Sequence, residues 1–243
     1  MNVIFYRWHP EVALRYLPIV NEIKKMEDSA TILEVGSGGL GISPYLGKNV
    51  TGVDLEFSPP YHPLLKRVKG SALKIPFNSS SFDIVISVDT LEHIKPSDRQ
   101  KAIFEMIRVS RQKAIIGVPS GDAAQKQDDQ LDRDYKRRYG KPFRFLDEQV
   151  SYGLPDQDEL LYYINNVSKQ LKKEIKVTVK RNENLILRKF LMQGWMSNNI
   201  FVNILHRKFF LLLIPIFRLM NQEPTYRVIF LLDLVKQLNE NSN

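Results

Sequence analysis

The residues with the most chemical potential lie in the first quarter of the chain: three glycines and two acids. The run T-I-L-E-V-G-S-G-G-L-G spans residues 31–41. Its apolar start, Thr31–Val35, predicts a β-strand, and its glycines predict a tight turn out of that strand. Gly36 and Gly38 let the backbone pass close to a ligand where any Cβ would collide with it. Together with Gly41 they match G-x-G-x-x-G, a nucleotide-cradling pattern that an ordinary strand-to-helix turn also produces. Asp54 closes a second predicted strand, V-T-G-V-D, 18 residues after Gly36. In a doubly wound sheet this sets a carboxylate beside the glycine turn, where it can accept hydrogen bonds from both hydroxyls of a ribose. The plainer alternative is an aspartate that caps the following turn.

Two details bear on which ligand the turn would hold. Glu34 stands two residues before Gly36. A pyrophosphate there would meet its negative charge, whereas S-adenosylmethionine has no phosphate and carries a sulfonium and an ammonium. The helix after the turn is also predicted to be short. Ser43-Pro44 starts it and Gly47 ends it. A pyrophosphate site calls for a longer helix aimed at the phosphates. A nicotinamide-dependent oxidoreductase shares the glycine–acid pair and remains the alternative enzyme.

The next block, G-S-A-L-K-I-P-F-N-S-S-S-F-D-I-V-I-S-V-D-T-L-E-H-I, covers residues 70–94. With it, the chain resembles the class I S-adenosylmethionine-dependent methyltransferases, in particular the small-molecule enzymes that include the ubiquinone/menaquinone type. Gly70-Ser71-Ala72, Ile75-Pro76-Phe77, Ser81-Phe82-Asp83 and Leu91-Glu92-His93 stand at the places of that family's motifs. The resemblance spans residues 30–120. It implies an α/β fold, a doubly wound, mostly parallel seven-stranded sheet, and S-adenosylmethionine as cofactor. It implies that Glu34, Gly36, Ser37 and Gly38 line the methionine and ribose portion and that Asp54 holds the ribose hydroxyls. Ser71 and Ala72 would flank the adenine, and Ser87, Val88 and Asp89 would face the sulfonium end. Two residues depart from the family pattern. Leu40 stands where a third glycine is common, and Ser71 replaces the usual aspartate. These departures are the only support for a third reading, a non-catalytic binding or scaffold protein at the membrane surface.

Methyl transfer from a sulfonium is a direct in-line displacement, so the protein mainly has to hold donor and acceptor in line. No catalytic dyad is visible. Asp89, His93 and Asp122 are the candidates for a general base, and His93 reads first as a structural histidine at a strand–helix corner. Trp8 and His9 could close over the cofactor or pack against the sheet.

The elements that must position these residues follow from periodicity. Further strands are predicted at Phe82–Val88, Ala114–Val118, Lys176–Lys180 and Tyr226–Leu232, nearly all apolar where both faces are to be covered. Helices are predicted over 97–111, with Ser97 and Gln100 as a capping box, and from Asp156, with Glu159 completing another. One domain over residues 1–243 is expected, with a core at 30–120. Insertions are expected at 121–155, after the fifth strand, and at 185–220, between the sixth and seventh. The first is polar, charge-dense and rich in turn formers.

The chain has 243 residues, 43% hydrophobic and 26% charged, as a globular protein has. It has no cysteine, which excludes a disulfide scaffold and a catalytic thiol. Its four histidines show no metal-ligand spacing, so no metal is expected. The first residues lack the charged-then-apolar pattern of a secretory signal, and a cytoplasmic location is expected. The net charge is +8. Residues 181–220 carry six basic residues and one acid, Glu183. This points to an anionic partner at that stretch, with peripheral membrane contact as one form, or to a solvated basic face. Nucleic acid is not expected, because no arginine-rich run is interleaved with aromatics. The apolar run Phe209–Phe217 is nine residues long, against about 20 for a spanning helix. It reads as a buried roof over the site or as an element lying on a membrane. Loosely, the whole chain resembles stand-alone methyltransferases of bacterial cell-envelope glycan pathways. The expected acceptor is therefore a small molecule, a glycan or a lipid-linked compound.

Overall fold

The structure is a computed structural model that describes residues 9–141 and 143–235. Seven strands are present: β1 (Ile32–Val35), β2 (Val50–Asp54), β3 (Leu65–Lys69), β4 (Phe82–Val88), β5 (Ser110–Pro119), β6 (Ile175–Asn184) and β7 (Thr225–Leu234). They form one sheet in the order β3–β2–β1–β4–β5–β7–β6. The first five pair in parallel, and β7 runs antiparallel to both β5 and β6. The order reverses at β1 and β4, so the chain ends leaving those strands open a crevice for a ligand. This is the doubly wound, seven-stranded α/β architecture expected from the sequence. The two late strands stand at one side, with β6 at the edge and β7 inside it.

Both sheet faces are covered. On one face, α1 (Pro10–Ile23) lays Ile19 and Ile23 on Ile32, Ile84 and Ile86. On the other, α3 (Pro96–Val109) and α6 (Gln157–Leu171) pack Ile103, Met106, Ile107, Leu160 and Ile164 on Leu33, Val85, Ile116 and Phe230. Burial on both faces is why β1 and β4 read as continuous apolar runs.

Several elements differ from the sequence reading. Helix α1 and strand β3 were not predicted. Pro18 lies inside α1, and a proline there removes a backbone donor, so the pattern argues for a break. The Leu14 carbonyl that Pro18 leaves free accepts instead from Asn182 Nδ2 of β6, at 3.4 Å. The Ser97–Gln100 capping box does not form. Lys95 is the N-cap of α3, without a side-chain cap bond, and Pro96 begins the helix. The Asp156–Glu159 box does form at α6. The polar stretch 121–155 folds into α4 (Asp122–Tyr139) and α5 (Arg144–Tyr152). Helix α4 buries a narrow stripe of Ala124, Asp128, Leu131 and Asp132. Two of those four are acids, which hides the helical period from a hydrophobicity pattern.

Residues 185–220 form α7 (Leu185–Trp195), α8 (Ile200–Ile204), short helical turns over Leu205–Leu213, and α9 (Ile214–Phe217). Leu187, Leu191, Leu211 and Ile214 join the core beside α1. The outward face leaves Ile186, Phe190, Ile200, Phe201, Ile204, Leu205, Phe209, Leu212, Ile216 and Leu219 exposed. The segment is thus half core and half exposed apolar surface. Among the described residues, no helix is long and apolar enough to cross a membrane.

Candidate active site

The glycine turn is held from both sides. Gly36 N–H donates to the Val53 carbonyl at 2.8 Å, which ties the end of β1 to β2. Gly36 has φ +79°, and a Cβ there would run into the Thr90 side chain. Gly38 N–H donates to Asp54 Oδ2 at 2.8 Å, so the turn and the acid that ends β2 form one unit. Asp54 Oδ1 has only a long contact, 3.4 Å, to the Glu56 N–H. Helix α2 (Ser43–Leu46), which follows the turn, has four residues and leaves no long dipole aimed at a phosphate.

A cavity of about 530 Å³ opens at this switch point. It brings together Gly36, Asp54, Ser71, Ala72 and Asp89 from the predicted cofactor set, with His93 from the predicted bases. Thr90, Leu55, Ile94 and Tyr152 complete much of its wall. Glu34, Ser37, Gly38, Ser87 and Val88 are not among its lining residues.

Glu34 is 1% exposed and faces inward. Its Oε1 accepts from Tyr16 Oη of α1 and its Oε2 from the Ile42 N–H, each at 2.8 Å. The carboxyl therefore clamps the exit of the glycine turn to α1. Burial pushes it up to about 7, against the opposing pull of the Ile42 and Tyr16 hydrogen bonds. Ser37 is buried, with its hydroxyl on the Gly38 carbonyl. Ser87 is buried with no hydrogen-bond partner among the described residues.

Asp89 belongs to an ion network rather than to open solvent. Arg227 of β7 holds it in a bidentate pair, Nε–Oδ1 at 2.6 Å and Nη2–Oδ2 at 2.7 Å. Arg15 of α1 stands 3.3 Å away. Burial alone would raise the Asp89 carboxyl, but Arg227 and then Arg15 outweigh it and hold it below the usual range. A carboxylate so stabilised is a poor base. Asp122, at the start of α4, is exposed and lines neither this cavity nor the smaller one beside it. His9 stacks on Trp195 with ring centroids 4.9 Å apart, which places it between α1 and α7 rather than over the cavity. Trp8 lies outside the described residues.

A second, smaller cavity of about 80 Å³ adjoins the first and shares Asp89 and His93 with it. Its polar wall holds Glu11, Arg15, Glu92, Gln149, Arg188 and Tyr226, and its apolar wall Leu146, Met192 and Trp195. Arg188, one of the six basic residues of 181–220, is 2% exposed and pairs with Asp128 at 2.6 Å. Sequence reasoning missed Thr90, Glu92, Arg15 and Arg227. One signal was present for Arg227: an arginine inside T-Y-R-V-I-F-L-L, a run apolar enough to be buried on both faces, must find anions.

The fold and the glycine–aspartate unit define a Rossmann-like domain with a nucleoside-sized crevice at its switch point. Residues 33–117 match the family model described as a methyltransferase domain. The match supports a methyltransferase domain over these residues, with S-adenosylmethionine as cofactor. It favours S-adenosylmethionine over a nicotinamide, the choice that the glycine turn alone left open. Solved structures share the fold. A putative methyltransferase from an antibiotic biosynthesis pathway of Anabaena variabilis is 16% identical, with a TM-score of 0.52 over 90% of this chain and 98% of that one. Phosphoethanolamine N-methyltransferase 2 of Haemonchus contortus, in complex with S-adenosyl-L-methionine, is 16% identical with a TM-score of 0.55, over 91% of this chain and 52% of that one. The Burkholderia thailandensis 1,6-didemethyltoxoflavin-N1-methyltransferase is 13% identical with a TM-score of 0.52, over 93% and 80%. No curated protein matches the chain.

Proposed function

We propose that residues 1–243 form a single methyltransferase domain that binds S-adenosylmethionine in the 530 Å³ cavity and methylates an amphiphilic, lipid-linked or glycan-bearing acceptor. The observation that supports the donor site is the joining of Gly38 N–H to Asp54 Oδ2 at 2.8 Å. Asp54 lines the cavity, and its Oδ1, with a long 3.4 Å contact to the Glu56 N–H, is left as the acceptor for ribose hydroxyls. Gly36 and Thr90 would shape the wall at the end of β1, and Ser71 and Ala72 would flank the adenine. Bound there, S-adenosylmethionine supplies a methyl group already activated on a sulfonium. The chain's own contribution is then mainly alignment, which can supply roughly 7–11 kcal/mol.

The acceptor class rests on the outward face of α7–α9. Ten large apolar side chains are exposed there, from Ile186 to Leu219. Lys189 and Lys208 are exposed among them, and no Asp or Glu occurs between Asn184 and Gln222. An apolar face rimmed only by cations fits an anionic amphiphile or the lipid surface that carries it. The Arg207 side chain, in the same basic stretch, lies outside the described residues. The inner face of α7 meanwhile lines the smaller cavity through Arg188, Met192 and Trp195. One helix thus connects the exposed face to the reaction centre.

Calorimetric titration of S-adenosylhomocysteine into Asp54→Ala and Ser71→Ala tests the donor site. Asp54 is expected to contribute charge-assisted bonds of about 1.5–3 kcal/mol each, and Ser71 a neutral one of about 1 kcal/mol. The Asp54 variant should lose affinity at least tenfold more than the Ser71 variant. Equal losses would show that the ribose is held elsewhere.

A further inference from the structure

The smaller cavity contains an unusual set of buried polar atoms. Glu92 is 1% exposed and its Oε2 has no hydrogen-bond partner among the described residues. Arg15 Nε and Arg188 Nε are in the same state. All three residues line this one cavity. Leaving a buried polar atom without a partner costs about 1–3 kcal/mol, and more for a charged group. Three of them around one small space are expected to be satisfied by a ligand. They comprise one carboxyl oxygen and two guanidinium N–H groups. An ammonium could satisfy only the oxygen and an anion only the N–H groups. A hydroxyl donates one hydrogen bond and accepts up to two, so it can satisfy both kinds.

Size narrows the reading. At about 80 Å³ the space is far below the roughly 300–1,000 Å³ of a pocket that encloses a whole ligand. It can admit only the reacting end of an acceptor. That end would meet the donor cavity at Asp89 and His93, which line both spaces.

We propose that this cavity is the acceptor's reaction subsite, that it takes a hydroxyl group, and that Glu92 receives the hydroxyl proton as the methyl group transfers. The inference rests on the larger cavity being the donor site. The product is a methyl ether. The hydroxyl oxygen forms a bond to the methyl carbon, and the carbon–sulfur bond breaks. Its electron pair stays on sulfur, which becomes a neutral thioether, and the proton passes from oxygen to the Glu92 carboxylate. Asp89 is a weaker choice of base because Arg227 and Arg15 hold it ionised. Burial, and then the charge on Asp89, push the Glu92 carboxyl well above the usual range, so it grips a received proton more firmly. The charged or titratable groups around it are Glu11 and Arg15 of α1, Asp89 and His93 of its own loop, Arg99 of α3, Arg188 of α7, and Tyr226 and Arg227 of β7. Arg15 and Arg227 lower Glu92 in opposition to Asp89.

The test uses S-adenosylmethionine labelled with ¹³C in its methyl group, the intact protein, and a total extract of the cells that make it. The labelled product should carry a methoxy carbon. Glu92→Gln should slow transfer by about 10²–10⁴-fold, the usual contribution of a positioned base, with S-adenosylhomocysteine affinity unchanged. The acid limb of the wild-type rate should have its midpoint above the usual glutamate value of about 4.3 and should vanish in the variant. A labelled N-methyl or C-methyl product overturns the proposal, as does a Glu92→Gln rate within threefold of wild type. NMR titration of the Glu92 carboxyl in the wild-type protein saturated with S-adenosylhomocysteine decides independently of any acceptor and of the variant's folding. Titration in the ordinary glutamate range overturns the proposal. Failure of the wild type to bind S-adenosylhomocysteine would instead refute the donor-site reading.

Discussion

Replacing Arg227 by methionine should cost both stability and cofactor affinity. Arg227 is fully buried on β7. Its guanidinium makes two bonds to Asp89, at 2.6 and 2.7 Å, one to Glu183 at 2.9 Å and one to Asn182 at 3.2 Å. Methionine keeps much of the apolar stem but removes the cation. Asp89 would retain only Arg15, at 3.3 Å, and Glu183 would lose its ion pair. Breaking a buried pair by removing one partner costs about 3–5 kcal/mol. In a domain of this size each kcal/mol lowers Tm by roughly 2–4 °C, so a loss of roughly 6–20 °C is expected. Thermal unfolding followed by circular dichroism measures it. The sign with pH follows from Asp89, whose folded value is depressed. Its stabilisation is present above the usual aspartate value of about 3.9 and is lost as pH falls through the folded value, so the gap between variant and wild type should narrow in acid. Arg227→Met combined with Asp89→Asn should recover part of the loss, because the uncompensated charge is gone. A Tm loss under about 3 °C, or a double variant no more stable than the single one, would refute the view that this cation neutralises the centre of the site.

Two further outcomes are expected. Glu34 is raised from 4.5 to about 7 in the folded protein, mainly by burial. The folded state therefore binds its proton more tightly than the unfolded state, and stability should fall as pH rises through that window. Glu34→Gln should show a flatter Tm profile there, and an unchanged slope would place the titrating group elsewhere. At the exposed face, wild-type protein should sediment with phosphatidylglycerol vesicles and not with neutral phosphatidylcholine vesicles. Each lysine near an anionic surface contributes about 1 kcal/mol, so Lys189→Glu with Lys208→Glu should weaken that binding at least tenfold. Unchanged sedimentation, or equal binding to neutral vesicles, would remove the membrane-facing reading.

What could be read without coordinates was local. The run 31–41 announces a strand and a turn because apolar periodicity and glycine act over a few residues. Asp54 could be placed because a doubly wound sheet converts a sequence spacing into neighbouring strand ends. The capping box at Asp156 is likewise written in four consecutive residues. Where local rules compete, the reading went astray. Ser97 and Gln100 lost to Pro96 as the helix start, and α1, which was not predicted, holds Pro18 because the carbonyl it frees accepts from Asn182 of β6.

Tertiary structure alone decided which partners the acids near the site meet. Glu34 was expected beside the cofactor, yet both its oxygens are taken by Tyr16 and Ile42. Asp89 was expected at the sulfonium end and as one of three candidate bases, and it is held by Arg227, 138 residues further on. Glu92 was passed over within Leu91-Glu92-His93, yet it faces the small cavity with an oxygen unpaired among the described residues. A carboxyl group's role depends on its partners and on how far it is removed from water. Both are set by strands and helices distant in sequence, so the chain order of residues 31–94 carries the glycine turn and the acids, and only the packing of α1, α7 and β7 around them sets each acid's partners.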